Sequence, residues 1–314
     1  MKVVKSGIYF HHRTSIKIVT LLQRTPRVTM QVTENKKFID VDEIFKSKNP
    51  GLYRMLPGFL IRYLKRVVHQ DEINSFINRH GHKQEFEFVD AIIDEFGAKV
   101  GVQGLENIPE RGGCIFASNH PLGGLDAMAL VHVVSKVRKD IRFVVNDILL
   151  QLKNLSGIFV GVNKHGKNSP EVYSGLDEVY ASGSGVMIFP AGLVSRKQQG
   201  QILDLEWKKS FITNSRKHNL PVIPVFIEGK NSAFFYNFSN FRKRIGIKAN
   251  IEMLYLADEM YRQKNKTITV IFGKPIPALF FETEYSDKNW AQLVKEHVYN
   301  LPGGGHQKSM ASPK

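Results

Sequence analysis

The chain has 314 residues, 42% hydrophobic and 23% charged, so wholesale disorder is excluded and one α/β domain with a peripheral helical piece accounts for the length. Lys and Arg number 44 against 29 Asp and Glu, a formal charge of +15 that draws the protein toward anionic lipid, nucleic acid or acidic carrier proteins. The single cysteine, Cys114, excludes an intrachain disulfide and a cysteine-rich metal site, and no uncharged apolar run reaches the roughly 18–20 residues that span a bilayer.

Residues 1–38 read as a basic, turn-rich leader without sustained periodicity, a candidate for disorder. The apolar stretches of Met1–Leu22 are broken by His11, His12, Arg13 and Lys17, so no export signal forms. Residues 39–84 read as a helical segment suited to docking on a membrane. Within it a helix is predicted from Pro57 to Arg79, because Leu56, Phe59, Leu60, Tyr63, Leu64, Val67 and Val68 recur at helical steps while Arg62, Lys65 and Arg66 fall on the other side. Such a stripe packs on a core or lies in a lipid interface, and both readings stay open.

Residues 85–301 read as the main domain. After a helix at Glu85–Phe96, strands are predicted at Cys114–Ala117, Arg142–Val145, Gly157–Val162, Val186–Phe189, Val222–Ile227, Ile251–Leu256 and Ile268–Phe272. Helices are predicted at Leu125–Lys136, Asp147–Leu152, Pro170–Ala181, Leu205–His218 and Asp287–Tyr299. Short apolar runs alternating with longer periodic ones imply an α/β fold, a mixed and largely parallel sheet of about seven strands flanked by helices. Residues 302–314, with three consecutive glycines, read as a flexible tail.

The segment Ile115-Phe116-Ala117-Ser118-Asn119-His120-Pro121-Leu122-Gly123-Gly124-Leu125-Asp126 concentrates the chemistry: a strand ends, and His, two glycines and Asp arrive before a helix. A histidine at a strand end can take a proton from an attacking hydroxyl, and a carboxylate on its other nitrogen fixes the tautomer. Taken alone, such a pair is more often structural or solvent-exposed. Three further blocks follow: Gly157-Ile158-Phe159-Val160-Gly161-Val162-Asn163-Lys164, Ile188-Phe189-Pro190-Ala191-Gly192-Leu193-Val194-Ser195-Arg196, and Val222-Ile223-Pro224-Val225-Phe226-Ile227-Glu228-Gly229.

In these four blocks, taken in order, the chain resembles the glycerolipid acyltransferase superfamily, which includes lysophosphatidic acid acyltransferases. It looks most similar to bacterial proteins labelled hemolysins and to amino-acid-lipid O-acyltransferases. The resemblance covers roughly Glu85 to Pro277. It implies a glycerol-3-phosphate acyltransferase-like fold, His120 as general base and Asp126 as its orienting carboxylate. It further implies a substrate-binding set of Asn119, Gly123, Gly124, Asn163, Lys164, Phe189, Pro190, Ala191, Gly192, Ser195 and Arg196. The implied reaction moves a fatty acyl group from an acyl-carrier-protein or coenzyme A thioester to a lysolipid hydroxyl, with no metal or other cofactor. It places the enzyme peripherally on the cytoplasmic side of the cell membrane, against anionic lipid and without nucleic acid.

Two departures bear on the acceptor. Five residues, Pro121–Leu125, separate His120 from Asp126 where the family commonly has four, and the glycine pair is expected to absorb the extra one. The third block has Ala191 where a Glu is common, and the second lacks the usual Arg, which would grip a phosphate with two parallel bonds. Lysophosphatidic acid and a lyso-amino-acid lipid, whose head group is a carboxylate, therefore both remain acceptors. Main-chain donors near the glycine pair are expected to hold the developing oxyanion, and the Ala191-Gly192 turn to present amides to an anion. Cys114 is expected to pack as a small apolar residue. The rival readings are a peripheral lipid-binding protein without catalysis and a hydrolase using the same pair on water.

Overall fold

The computed structural model describes residues 37–146, 149–162, 170–282, 285–308 and 310. Two compact units emerge: the described residues up to Asn78 with Ala233–Asp258, and Arg79–Ser232 with the residues from Glu259 onward.

The larger unit is a seven-stranded mixed sheet. Its strands are β1 (Lys99–Gln103), β2 (Cys114–Ser118), β3 (Ile141–Asn146), β4 (Phe159–Val162), β5 (Gly185–Ile188), β8 (Val222–Ile227) and β9 (Thr267–Phe272). Strands β6 (Arg196–Gln198) and β7 (Gln201–Leu203) make a separate antiparallel hairpin. The order across the sheet is β1-β9-β8-β2-β5-β3-β4. Strands β8, β2, β5, β3 and β4 run parallel, while β9 is antiparallel to β8 and carries β1 beside it. Every residue of β2 and β5 is buried, as expected of central parallel strands covered on both faces.

Helices α5 (Glu85–Glu95), α6 (Gly124–Val134), α7 (Pro170–Ala181), α8 (Ser210–His218) and α11 (Asp287–Tyr299) also belong to this unit. Nearly all of α6 is buried, which suits a helix apolar on every side. A core of Ile115, Val186, Trp207, Phe211, Val222, Trp290 and Val294 joins β2, β5, β8, α8 and α11.

The mixed seven-strand sheet is the predicted architecture, with one exchange of strands. Ile251–Tyr255 is a 3-10 helix running into α10 (Leu256–Tyr261), not a strand. In that segment Glu252 is the buried residue, paired with Arg242, while its apolar neighbours are half-exposed, the inverse of an apolar strand. The seventh strand is β1, an edge strand of low burial that its sequence hides. The predicted helix Leu205–His218 starts only at Ser210, because 204–207 is held extended by side chains of α11. Of the predicted helix Asp147–Leu152, Leu149–Gln151 is a 3-10 turn and 147–148 lie outside the described residues.

The smaller unit holds α1 (Val41–Lys48), α2 (Pro50–Met55), α3 (Gly58–Val67), α4 (Gln70–Asn78 within Gln70–His80) and α9 (Ala233–Arg244). The single predicted helix from Pro57 to Arg79 is two, broken where His69 takes the left-handed conformation (φ 49°). Ile61 and Leu64 of α3 pack on Val41 and Phe45 of α1. Phe59 and Tyr63, predicted on the apolar stripe, instead share the exposed surface with Arg62 and Arg66. On α9, Phe235 and Tyr236 are buried whereas Phe234 and Phe241 are exposed. Among the described residues no helix is long and apolar enough to cross a membrane.

Candidate active site

Three of the sequence blocks reach the carboxyl ends of parallel strands, where His120 follows β2, Phe189 follows β5 and Glu228-Gly229 follows β8, and the described part of the second block ends with β4 at Val162. Such an edge is where open α/β sheets place their ligand crevices. Register sets the neighbours, since Ala117 pairs with Ile188 and Ser118 with Val225, so the chain leaving β2 runs between the third and fourth blocks.

Asp126 sits in the first turn of α6 and is fully buried. Its Oδ2 accepts from the Leu122 amide at 2.9 Å, the Gly123 amide at 3.2 Å and His120 Nδ1 at 3.0 Å, while Oδ1 accepts from the Ala127 amide at 2.8 Å. These donors, with the positive end of the helix dipole, satisfy a carboxylate that burial alone would penalise. Of the glycine pair, Gly123 takes φ 92°, which only glycine adopts readily, and Gly124 begins α6. The same folding-back directs the Leu122 and Gly123 amides at Asp126, so these two do not serve the oxyanion expected of the glycine segment.

With Nδ1 donating to Asp126, the proton-accepting lone pair falls on Nε2. The His120 side chain is 16% exposed, so the ring is reachable from one side. Its face stacks on Phe189 with centroids 4.0 Å apart and planes 15° off parallel, and Phe143 backs Phe189 at 5.1 Å. This apolar wall limits the directions in which Nε2 can meet a partner.

Asn119 is buried with its carboxamide on the Ile227 main chain, donating to the carbonyl at 2.9 Å and accepting from the amide at 2.6 Å. It laces the ends of β2 and β8 together. Beyond β8, a Cβ at Gly229 would come within 2.7 Å of the Leu122 side chain, so the first and fourth blocks pack closely where that position is glycine.

In the third block, Phe189-Pro190-Ala191-Gly192 forms a turn closed by the Gly192 amide on the Phe189 carbonyl at 2.9 Å. That amide therefore faces its own turn, not an anion. The Ser195 amide donates to the His120 carbonyl at 2.8 Å, and the Ser195 hydroxyl to Asp204 at 2.6 Å. Arg196 is buried, with its guanidinium donating to the Val194 carbonyl at 2.6 Å. Gly124 is exposed at the mouth of α6. Asn163 and Lys164 lie outside the described residues. Ser195 is thus folded into the support of His120 and Arg196 turns onto its own loop, which spacing in the sequence does not reveal.

Sequence reasoning missed Asp204, a fully buried carboxylate that accepts from the His120 amide at 3.2 Å. No motif announces it. Cys114 is fully buried beside Arg138, and burial pushes its thiol up to about 12, so it is chemically quiet and packs as expected.

A strand-end imidazole turned by a buried carboxylate is the arrangement of enzymes that move a proton off a hydroxyl or water as a bond forms at a carbonyl. The acyltransferase family profile matches residues 43–304. A lyso-glycine lipid O-acyltransferase of Phocaeicola vulgatus is 44% identical over 273 residues, covering 86% of this chain and 98% of that protein. A lyso-glycine lipid O-acyltransferase of Bacteroides thetaiotaomicron is 45% identical over 272 residues, covering 86% of this chain and all of that protein. A solved structure, the 1-acyl-sn-glycerophosphate (LPA) acyltransferase PlsC of Thermotoga maritima, is a distant likeness at 18% identity and TM-score 0.41, covering 78% of this chain and 93% of that one. The chain belongs to the acyltransferase family, and it is an O-acyltransferase of lipid biosynthesis.

Proposed function

We propose that the protein acylates the hydroxyl of a single-chain amino-acid lipid, a lyso-glycine lipid first among them, using an acyl-carrier-protein or coenzyme A thioester. The observation that carries the chemistry is the 3.0 Å bond from His120 Nδ1 to the buried Asp126, which leaves Nε2 as the base. Nε2 takes the acceptor's hydroxyl proton as that oxygen attacks the thioester carbonyl carbon. The new C–O bond forms, the C–S bond breaks, and the imidazolium returns its proton to the departing sulfur. Asp126 steadies the imidazolium during the step. The names of the relatives that are 44% and 45% identical support this acceptor, and the absence of the usual Arg from the second block agrees with a head group other than phosphate.

The smaller unit is read as the surface that meets an anionic bilayer. Supporting this are Phe59 and Tyr63 standing exposed among Arg62 and Arg66 on α3, and Phe234 and Phe241 exposed on α9 ahead of Arg244. Aromatic rings take the headgroup boundary while the basic side chains meet its negative charge. On this reading the enzyme is peripheral to the membrane, and we assign it to the cytoplasmic face.

The deciding experiment presents purified protein with a labelled acyl donor, in separate carrier-protein and coenzyme A arms, and with lyso-glycine lipid or lysophosphatidic acid. Diacylated glycine lipid is expected, and its formation should cease in His120→Ala. Preferential acylation of lysophosphatidic acid would overturn the acceptor assignment. Thioester loss at the same rate without any acceptor would make the protein a hydrolase.

A further inference from the structure

A second buried carboxylate, Asp204, bonds the main chain of His120 where Asp126 bonds its ring, and the proposed mechanism does not use it. Asp204 lies just after β7 and is fully buried. Its Oδ1 accepts from the His120 amide at 3.2 Å and the Ser195 hydroxyl at 2.6 Å, and its Oδ2 accepts from Trp207 Nε1 at 2.9 Å. The His120 carbonyl in turn accepts from the Ser195 amide at 2.8 Å. Both polar groups of the His120 main chain are thereby tied to the region of the third block. Asp126 sets the rotation of the ring; nothing in that bond fixes where the backbone bearing the ring sits.

The segment carrying Asp204 is itself clamped by the last helix. Lys295 Nζ donates to the Asp204 carbonyl at 2.7 Å, the Asp204 amide donates to the Tyr299 hydroxyl at 2.8 Å, and Gln292 Nε2 donates to the Trp207 carbonyl at 2.8 Å. Burial drives the Asp204 carboxyl above its ordinary range, opposed by the donors Ser195 and Trp207. Placing a carboxyl group in a dry site is costly unless its oxygens are matched by donors, and here both are.

We propose that Asp204 is a positioning residue for the acyl-transfer reaction, holding the His120 main chain and Ser195 so that Nε2 points at the acceptor hydroxyl. The proposal rests on the reading of His120 as general base. It explains why Ser195, in a block first assigned to substrate, turns inward.

Asp204→Asn supplies the test. An amide keeps the shape, but whichever way it is turned one end sets N–H against N–H, at Trp207 or at His120 and Ser195. Displacement of a reacting group by an ångström costs on the order of 100-fold in rate, so kcat per folded molecule should fall about 10- to 100-fold with KM little changed. Ile268→Ala, a truncation of a buried residue in β9, a strand that makes none of the bonds around Asp204 or His120, serves as the stability control and should lower Tm with kcat per folded molecule unchanged. If Asp204→Asn turns over at the wild-type rate, or loses activity only in step with its folded fraction, Asp204 is structural and the proposal falls.

Should Asp204→Asn not fold, hydrogen exchange in the wild-type protein decides. The His120 amide is expected to exchange as slowly as those of β2, and exchange at an open-loop rate overturns the assignment. His120→Ala, assayed alongside, separates the two ideas. Full activity in that variant removes the general-base reading itself, whereas an inactive His120→Ala beside a fully active Asp204→Asn removes only the positioning role.

Discussion

Both units of this molecule bury matched polar side chains, Arg242 with Glu252 in the smaller one among them, but they differ in what those side chains gather around and in what is left at the surface. In the larger one, charged and polar side chains are taken inside and matched: Asp126, Asp204 and Asn119 are all buried and bonded around His120. In the smaller one, large apolar side chains are left outside: Met55, Phe59, Phe234 and Phe241 are exposed among basic neighbours. Chemistry on a thioester carbonyl needs groups held within a fraction of an ångström in a place sheltered from water. Adhesion to a fluid surface needs area and charge without fixed geometry. The contrast gives each unit its own signature of damage, since one should fail in rate and the other in partitioning.

The largest effect is expected at the imidazole. His120→Ala should lower kcat by about 1,000-fold or more while leaving vesicle binding intact, read by turnover and co-sedimentation on the same preparation. A variant that lost binding together with rate would erase the distinction between the units. Asp126→Asn comes next. It keeps the volume but sets an amide against a cluster of donors and removes the charge that steadies the imidazolium, so kcat should fall about 100-fold or more with a smaller change in KM.

Phe59→Ser combined with Phe241→Ser should act in the opposite sense. Each ring buried in lipid contributes about 1.5–3 kcal/mol, so affinity for vesicles containing anionic lipid should drop at least about 10-fold. Turnover of a soluble short-chain acceptor should stay within about 2-fold, because neither residue supports the His120 site. Equal loss of both measurements would show that this surface belongs to the catalytic apparatus.

The smallest expected effect lies within the smaller unit. The Lys65 ammonium bonded to Asp42 holds that carboxyl below its usual range. A carboxyl depressed on folding adds stability that is full above its unfolded pKa and is lost as pH falls through the folded value. The partly exposed pair is worth only about 0.2–1 kcal/mol. Asp42→Asn should therefore melt slightly below the wild type at pH 7, with the gap closing as the carboxylate range is crossed downward. A gap that widened in acid would contradict the pairing.

Much of the sheet was legible because several of its strands are short, mostly apolar and bounded by turn residues. Cys114–Ser118, Val222–Ile227 and Thr267–Phe272 could scarcely be anything else. The failures share one cause. Ile251–Tyr255 imitates a strand because nothing local reveals that Arg242, several residues earlier on α9, draws Glu252 inside. Lys99–Gln103 conceals a strand because an edge position demands little burial and takes its definition from pairing with β9. Phe59 and Tyr63 keep helical spacing with the buried residues of α3, yet which side of the stripe faces the core depends on where α1 packs.

By itself the sequence determined the class of fold, the His120/Asp126 pair and the family resemblance, since each is encoded in residues close together along the chain. Only the tertiary structure decided that the Leu122 and Gly123 amides serve Asp126, that Ser195 and Arg196 turn inward, and that Asp204 reaches His120 from 84 residues away. The physical reason is the range of the interactions. Periodicity and turn chemistry act over a few residues, whereas a buried carboxylate takes the donors that the fold brings to it, and their distance in sequence carries no signal.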